Sequence, residues 1–229
     1  MIALGFDFDH TLGVDNGLER KAMYAYADEL GRPLDPLDAA WRRSLEDLLA
    51  AFRAGDITMD EMIARFAAAL GASGARAERW REICFGLVDP LVRPIDGAPE
   101  LLDALRANAV PSAVLTNGWT PLQQKKIARA FGADTAARIP TIVSDAIGAV
   151  KPARAAFDAL ANALDTPRER LWYVGDNARG DVGGALAAGL RAVWFNREEQ
   201  SYPQDLPPPT LIVESLGELQ AWVENTIAP

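Results

Sequence analysis

The 229-residue chain has 49% apolar and 24% charged residues, the profile of a globular protein with one sizeable core and room for a smaller appended domain. Its formal net charge of −9 gives no basic face for nonspecific binding to nucleic acid or an anionic membrane, although a small anion can still meet a locally positive site. The lone Cys84 excludes an intramolecular disulfide framework; with no basic apolar leader and no span near the ~20 residues a membrane helix needs, the expected setting is the cytoplasm.

Residues 2–8 read as a strand covered on both faces, the pattern of a parallel sheet. From Leu18 to about Leu87 the character changes: "LERKAMYAYADELG", "LDAAWRRSLEDLLAAFRAG", "TMDEMIARFAAALG" and "RAERWREICFGLV" are rich in Ala, Leu, Arg and Glu and predict four helices. Thr58 with Glu61 forms a capping box for the third, and Gly31, Gly55 and Gly71 mark helix ends. After "PIDGAPE" strands and helices alternate. "AVPSAVLTNG" predicts a strand, and Thr120-Pro121 with Gln123 opens the helix "PLQQKKIARAFG". "IPTIVS", "RLWYVGD", "RAVWFN" and "TLIV" predict further strands, with helices over "PARAAFDALANALD" and "ARGDVGGALAAGL". The stretch "SYPQDLPPPT" reads as a stiff surface linker, and Ser215 with Glu218 caps the terminal helix. The expected fold is therefore α/β, a doubly wound, Rossmann-like parallel sheet over residues 1–15 and 94–229, with an all-helical domain inserted over residues 16–93.

In such sheets ligands bind beyond the carboxyl ends of the strands, near the switch point. Here those ends carry polar residues: Asp7, Asp9 and Thr11 after the first strand, Thr116 and Asn117 after the second, Asp176 after "LWYVG" with Asp181 five residues on, and Lys151 before a helix. Any one of these carboxylates alone is most simply a turn or cap residue. Their convergence on one sheet edge is more simply a single site. Crowded carboxylates need a cation, and oxygen ligands without a His or Cys cluster select a hard ion such as Mg²⁺. Lys151 adds positive charge toward a bound anion, and Thr116 and the backbone N–H groups around Asn117 can hydrogen-bond its oxygens. Metal, lysine and oxygen-directed donors describe a phosphoryl-binding site, and the absence of G-x-x-x-x-G-K-[ST] excludes the P-loop kind. Of Asp7 and Asp9, one carboxylate can attack phosphorus while the other handles the proton.

"DFDHT", "LTNG", "KP" and "VGDNARGD", in that order, resemble the four motifs of the haloacid dehalogenase (HAD) superfamily, and the helical insertion resembles its C1-type cap. The resemblance implies that Asp7 is the nucleophile of a phosphoaspartate route and Asp9 the general acid/base. It implies Mg²⁺ held by the carboxylates of Asp7 and Asp176 and the backbone carbonyl of Asp9. Thr116 would bind phosphoryl oxygens, Lys151 would neutralise Asp7 and the transferring group, and Asp181 would orient metal-bound water or Lys151. A mobile cap is implied as well. One position departs from the pattern: His10 stands where the motif usually has Gly, and its side chain is expected to point away from the site.

The resulting expectation is a Mg²⁺-dependent phosphatase acting on a small phosphorylated metabolite, as a monomer or homodimer. Asp9 weighs against a 2-haloacid dehalogenase, whose motif lacks that second carboxylate; a phosphosugar mutase keeps both. A non-catalytic binding module would have lost a catalytic residue, and here each is present. Substrate choice is nearly unreadable: Arg42 and Arg43 in the helical domain, and Trp119, Asn177 and Arg179 beside the motifs, are the candidate contacts.

Overall fold

The computed structural model describes residues 2–227. The chain divides into two compact units, one formed by everything up to Val14 and from Arg93 onward, the other by Asp15–Val92. Among the described residues no helix is long and apolar enough to cross a membrane.

β1 (Ala3–Phe6) is fully buried along its length and leads to β2 (Gly13–Val14), which pairs antiparallel with β3 (Arg93–Pro94) at the other end of the insertion. The inserted unit contains α1 (Leu18–Glu29), α2 (Ala39–Arg53), α3 (Met59–Leu70) and α4 (Ala77–Leu91). Its local signals act as the sequence suggests. Thr58 Oγ1 accepts the Glu61 N–H at 3.2 Å while the Glu61 carboxylate accepts the Thr58 N–H at 2.8 Å, satisfying two donors that a helix start leaves open. Asp38, unremarked in the sequence, caps α2 by accepting the N–H groups of Ala40 and Trp41 at 2.8 and 3.2 Å. Tyr26 and Phe66 stack at 6.4 Å among the buried side chains of the unit. Those two aromatics are packing residues.

The α/β unit continues with α5 (Ala98–Ala107), β4 (Ser112–Thr116), α6 (Thr120–Phe131), α7 (Ala133–Arg138), β5 (Thr141–Val143), α8 (Ser144–Ile147), α9 (Arg154–Ala163), β6 (Leu171–Gly175), a wide π-helical turn over Ala178–Gly183 running into α10 (Gly184–Ala187), β7 (Arg191–Phe195), β8 (Leu211–Val213) and α11 (Leu216–Ile227). Six strands form one parallel sheet in the order β5-β4-β1-β6-β7-β8. Its strands are buried on both faces: Ala3, Ala113, Leu115, Tyr173, Ala192 and Trp194 join Phe157 and Leu160 of α9 in one core, while the alternating Leu4, Phe6, Val114, Val174 and Val193 are buried on the other face. After β1 the chain steps outward through β4 and β5, then returns to lay β6 on the opposite side of β1. The crevice of a doubly wound sheet therefore opens beyond β1, β4 and β6.

The expected doubly wound sheet is present, with every strand shorter than the run that suggested it. Three helices were not anticipated: α5, in the stretch between "PIDGAPE" and "AVPSAVLTNG" to which no element was assigned, and the short α7 and α8. The segment 201–210 is not a free spacer. Tyr202 packs edge-on against Trp194 at 5.0 Å, and Asp205 holds Arg179 through two hydrogen bonds.

Candidate active site

Asp7 follows β1 directly, its N–H bonded to the Val174 carbonyl of β6 at 2.9 Å, so the central strand pair aims its carboxylate beyond the sheet edge. Lys151 reaches it from the loop before α9. The ammonium donates to Asp7 Oδ1 at 2.7 Å, Asp181 Oδ1 at 2.7 Å and the Tyr173 hydroxyl at 2.8 Å, and that hydroxyl donates to the Leu115 carbonyl at 2.7 Å. All three donors of a buried lysine thus meet oxygen, the condition under which such a charge is tolerated. Burial alone would drive the Lys151 ammonium toward neutrality, but Asp181 and Asp7 outweigh it and hold its pKa well above the usual lysine range. Burial raises the Asp7 carboxyl well above its ordinary value; Lys151 opposes this, and Asp181, Asp176 and Asp9 add to it.

Asp181 comes from the π-helical turn, where the Val182 N–H reaches back to the Asn177 carbonyl at 3.2 Å. Such widened turns redirect a side chain and are frequent at functional sites. Its two oxygens are committed, Oδ1 to Lys151 and Oδ2 to the Asn177 N–H at 3.0 Å. The close approach requires Gly175: a Cβ there would collide with the Asp181 carboxylate. Asp176 is held differently. The Thr11 hydroxyl donates to its Oδ1 at 3.2 Å and accepts its N–H at 3.1 Å. Its pKa is pushed up to about 6, by burial first and then by the charge of Asp181, with His10 pulling the other way.

Asp7, Asp176 and Asp181 each offer a carboxylate oxygen within 4.8 Å of the others. Lys151 offsets two of these charges, and Asp176 meets only a neutral hydroxyl and backbone amide among the bonds described above. A hard divalent cation fits this donor set: all ligands are oxygen, three carboxylates converge on one ammonium, and neighbouring carboxylates add to the upward push of burial on Asp7 and Asp176. Asp181, with both oxygens engaged, acts on Lys151.

The remaining expected residues fall at the same edge with altered parts. The Asn117 amide accepts the Lys151 N–H at 2.9 Å and donates to the Lys151 carbonyl at 3.1 Å, so this side chain braces the lysine loop against the end of β4. Asn177 caps the next helix by accepting from Arg179 and Gly180 N–H at 3.0 and 2.8 Å, and Arg179 is turned to Asp205 through two hydrogen bonds. Trp119 is buried, and Arg42, exposed, donates to the Pro36 carbonyl at 3.1 Å. His10 has a left-handed backbone (φ 63°), the conformation that accounts for glycine as the usual occupant. The residue lines a cavity of about 220 Å³ with Asp176, Phe195 and Arg197.

Two residues of α6 escaped the sequence reading. Gln123 was expected to cap the helix; instead Trp119 precedes α6 without a side-chain cap, the Thr120 N–H bonds Asp145 at 2.8 Å, and Gln123 points into the site. Its Nε2 donates to Thr116 Oγ1 at 2.6 Å and Asp9 Oδ2 at 3.0 Å. Lys126, 2% exposed, lies 2.5 Å from Asp9 Oδ1. The signal was available: Gln123 and Lys126 share the buried stripe of α6 with Leu122 and Ile127, an apolar position for two polar side chains. Tyr173, inside an otherwise apolar strand, was also missed; a buried phenol implies a polar partner.

A sequence-family model of haloacid dehalogenase-like hydrolases matches residues 3–189. The chain belongs to this family of hydrolases. It is 37% identical over 128 residues to pyrimidine 5′-nucleotidase YjjG of Escherichia coli, covering 56% of this chain and 55% of that protein. It is 32% identical over 177 residues to a phosphoserine phosphatase of Thermus thermophilus, covering 76% and 68%. The chain thus spans about half the length of the first of these relatives, and (S)-2-haloacid dehalogenases are also among the proteins it matches at that coverage. In fold it resembles the HAD-hydrolase YfnB of Bacillus subtilis, solved bound to magnesium, with a TM-score of 0.75 at 22% identity over 97% of this chain and 98% of that one.

Proposed function

We propose that the protein is a Mg²⁺-dependent phosphatase that hydrolyses a small phosphate monoester through an aspartyl-phosphate on Asp7, with Asp9 as general acid and base. The carboxylates of Asp7 and Asp176 and the backbone carbonyl of Asp9 would hold the cation, which when bound offsets charge on the carboxylates and the phosphoryl oxygens. Lys151, 2.7 Å from Asp7, keeps the nucleophile oriented and opposes the negative charge of the transferring group. Thr116 Oγ1 accepts the Gln123 amide at 2.6 Å, and its O–H, which makes only a long 3.4 Å bond to the Asn117 carbonyl, can turn to donate toward a phosphoryl oxygen. In the first half an oxygen of Asp7 bonds to phosphorus, the ester P–O bond breaks, and the proton of Asp9 goes to the departing oxygen. In the second, water attacks the same phosphorus, its proton passes to Asp9, and phosphate leaves Asp7.

The single observation that carries this reading over dehalogenation is Asp9. A halide leaves without a proton, so attack on carbon needs one carboxylate; this chain has a second, clamped by Gln123 and Lys126 and still 28% exposed at its side chain. Sugar phosphates, nucleoside monophosphates and short phosphorylated acids are the candidate substrates. The test is phosphate release from a mixed panel of such monoesters, with Mg²⁺ or chelator. Release that requires Mg²⁺ and disappears in Asp7→Asn is the expected result. Halide release from 2-haloacids without phosphate release would overturn it.

A further inference from the structure

α6 directs two polar side chains, one turn apart, at the two oxygens of Asp9. Lys126 Nζ lies 2.5 Å from Oδ1 and Gln123 Nε2 lies 3.0 Å from Oδ2. Both residues are 2% exposed, and the lysine passes the Phe8 ring at 5.9 Å. A buried ammonium–carboxylate pair is a weak stabilising device, since apolar residues of the same volume commonly serve stability as well or better. Lys126 stands on a stripe with Leu122 and Ile127 where such a residue would pack, so the charge calls for an explanation outside stability.

We propose that Lys126, with Gln123, is a positioning residue that fixes the Asp9 carboxyl group where it exchanges its proton with the leaving oxygen. This rests on the phosphatase reading above. As the ester P–O bond breaks and the Asp9 proton moves to that oxygen, Asp9 becomes a carboxylate, and the ammonium already beside Oδ1 offsets the charge as it forms. The donor is in place beforehand, so no reorganisation is needed at that moment. Gln123 locks the carboxyl plane by holding the other oxygen and ties it to Thr116, coupling the proton-transfer group to the proposed phosphoryl-binding hydroxyl.

Two aryl esters of similar shape separate this role from a structural one. p-Nitrophenolate departs readily without a proton, whereas the phenolate of phenyl phosphate needs one. Because kcat/KM covers only steps up to departure of the phenol, the later hydrolysis of the aspartyl-phosphate does not enter. Lys126→Met is expected to lower kcat/KM for phenyl phosphate on the order of 10²-fold and that for p-nitrophenyl phosphate less than about tenfold. Lys126→Arg should restore part of the ratio, and Gln123→Met should lower it about tenfold, a second measurement that stands if Lys126→Met does not fold. Equal losses on both esters, or no loss on either, would overturn the assignment. Failure of the phosphatase reading looks different: the wild-type protein itself would then release phosphate from neither ester with Mg²⁺ present.

Discussion

Replacing Lys151 by Met keeps the hydrocarbon stem and removes the ammonium between two buried carboxylates. Its three hydrogen bonds, to Asp7, Asp181 and Tyr173 at 2.7, 2.7 and 2.8 Å, disappear together. Tyr173 keeps its bond to Leu115, so the loss falls on Asp7 and Asp181, which are 7% and 2% exposed. Breaking a buried pair by removing one partner costs about 3–5 kcal/mol, because the stranded charge keeps its desolvation penalty. For a unit of this size that is a fall of about 10 °C in the transition midpoint of the α/β unit. The effect should depend on pH in a definite direction. Lys151 has a raised value in the fold, so its contribution is complete throughout the neutral range and is lost only in strong base. Asp7 is raised, which makes its ionisation unfavourable to folding: stability is greatest below the ordinary carboxylate range and falls as pH climbs through the folded value. Without Lys151 that folded value rises further. The gap between wild type and variant should therefore widen as pH rises out of the ordinary carboxylate range in chelator, followed by thermal unfolding. Adding Asp181→Asn should recover more than about 1 kcal/mol, the mark of direct coupling. A variant as stable as wild type at neutral pH, or a gap that ignores pH, would refute this account and leave Lys151 as a packing stem.

Asp176→Asn removes a carboxyl raised to about 6, whose ionisation at neutral pH works against the metal-free fold by on the order of 2 kcal/mol. The metal-free variant should melt higher than wild type, should not share its loss of stability between pH ~4 and ~6, and should lose the Mg²⁺-induced rise in melting temperature along with phosphatase turnover. Gly175→Ala should cost about 1–3 kcal/mol and lower turnover, because the new methyl group meets the Asp181 carboxylate; unchanged activity would show that this approach is slack. His10→Gly should retain turnover and gain up to about 1 kcal/mol, as glycine relieves the left-handed backbone; a loss of activity would assign the imidazole a part in the chemistry.

The legible part of this molecule was the part set by short-range rules. Thr58 and Glu61 could be read as a capping box because both partners lie within one turn, and β1, β4, β6 and β7 because a strand buried on both faces must be apolar at every position. α5 was lost by contrast: "ELLDALRA" adjoins an apolar run, and periodicity alone does not divide the two. The same limit governed the site. Asp7, Thr116, Lys151, Asp176 and Asp181 could be named because each stands at a strand or helix boundary, where a charged residue is conspicuous. Gln123 was misread because Thr-x-x-Gln is itself a capping signature, and nothing local says that the carboxylate of Asp145, 25 residues away, accepts from the Thr120 N–H instead. Once that N–H is satisfied across the fold, the amide is released to face Thr116 and Asp9.

This division has a consequence for how the site is built. The motif residues sit on turns that follow rigid strands, and what fixes their orientation comes from elsewhere in the sheet: Tyr173 from the interior of β6, Asn117 across to the Lys151 loop, Gln123 and Lys126 from the buried face of α6. Tyr173, Gln123 and Lys126 are polar side chains at positions that stability alone would fill with apolar ones, and each meets a charged group rather than substrate, while Asn117 holds the backbone of the Lys151 loop. Catalytic groups must be held within about half an ångström of their working geometry, and a supporting shell of this kind is what provides it. Polar residues on otherwise apolar stripes leading to a strand end are therefore as informative about the chemistry as the carboxylates themselves, and in this chain the stripe of α6 carries the second half of the site.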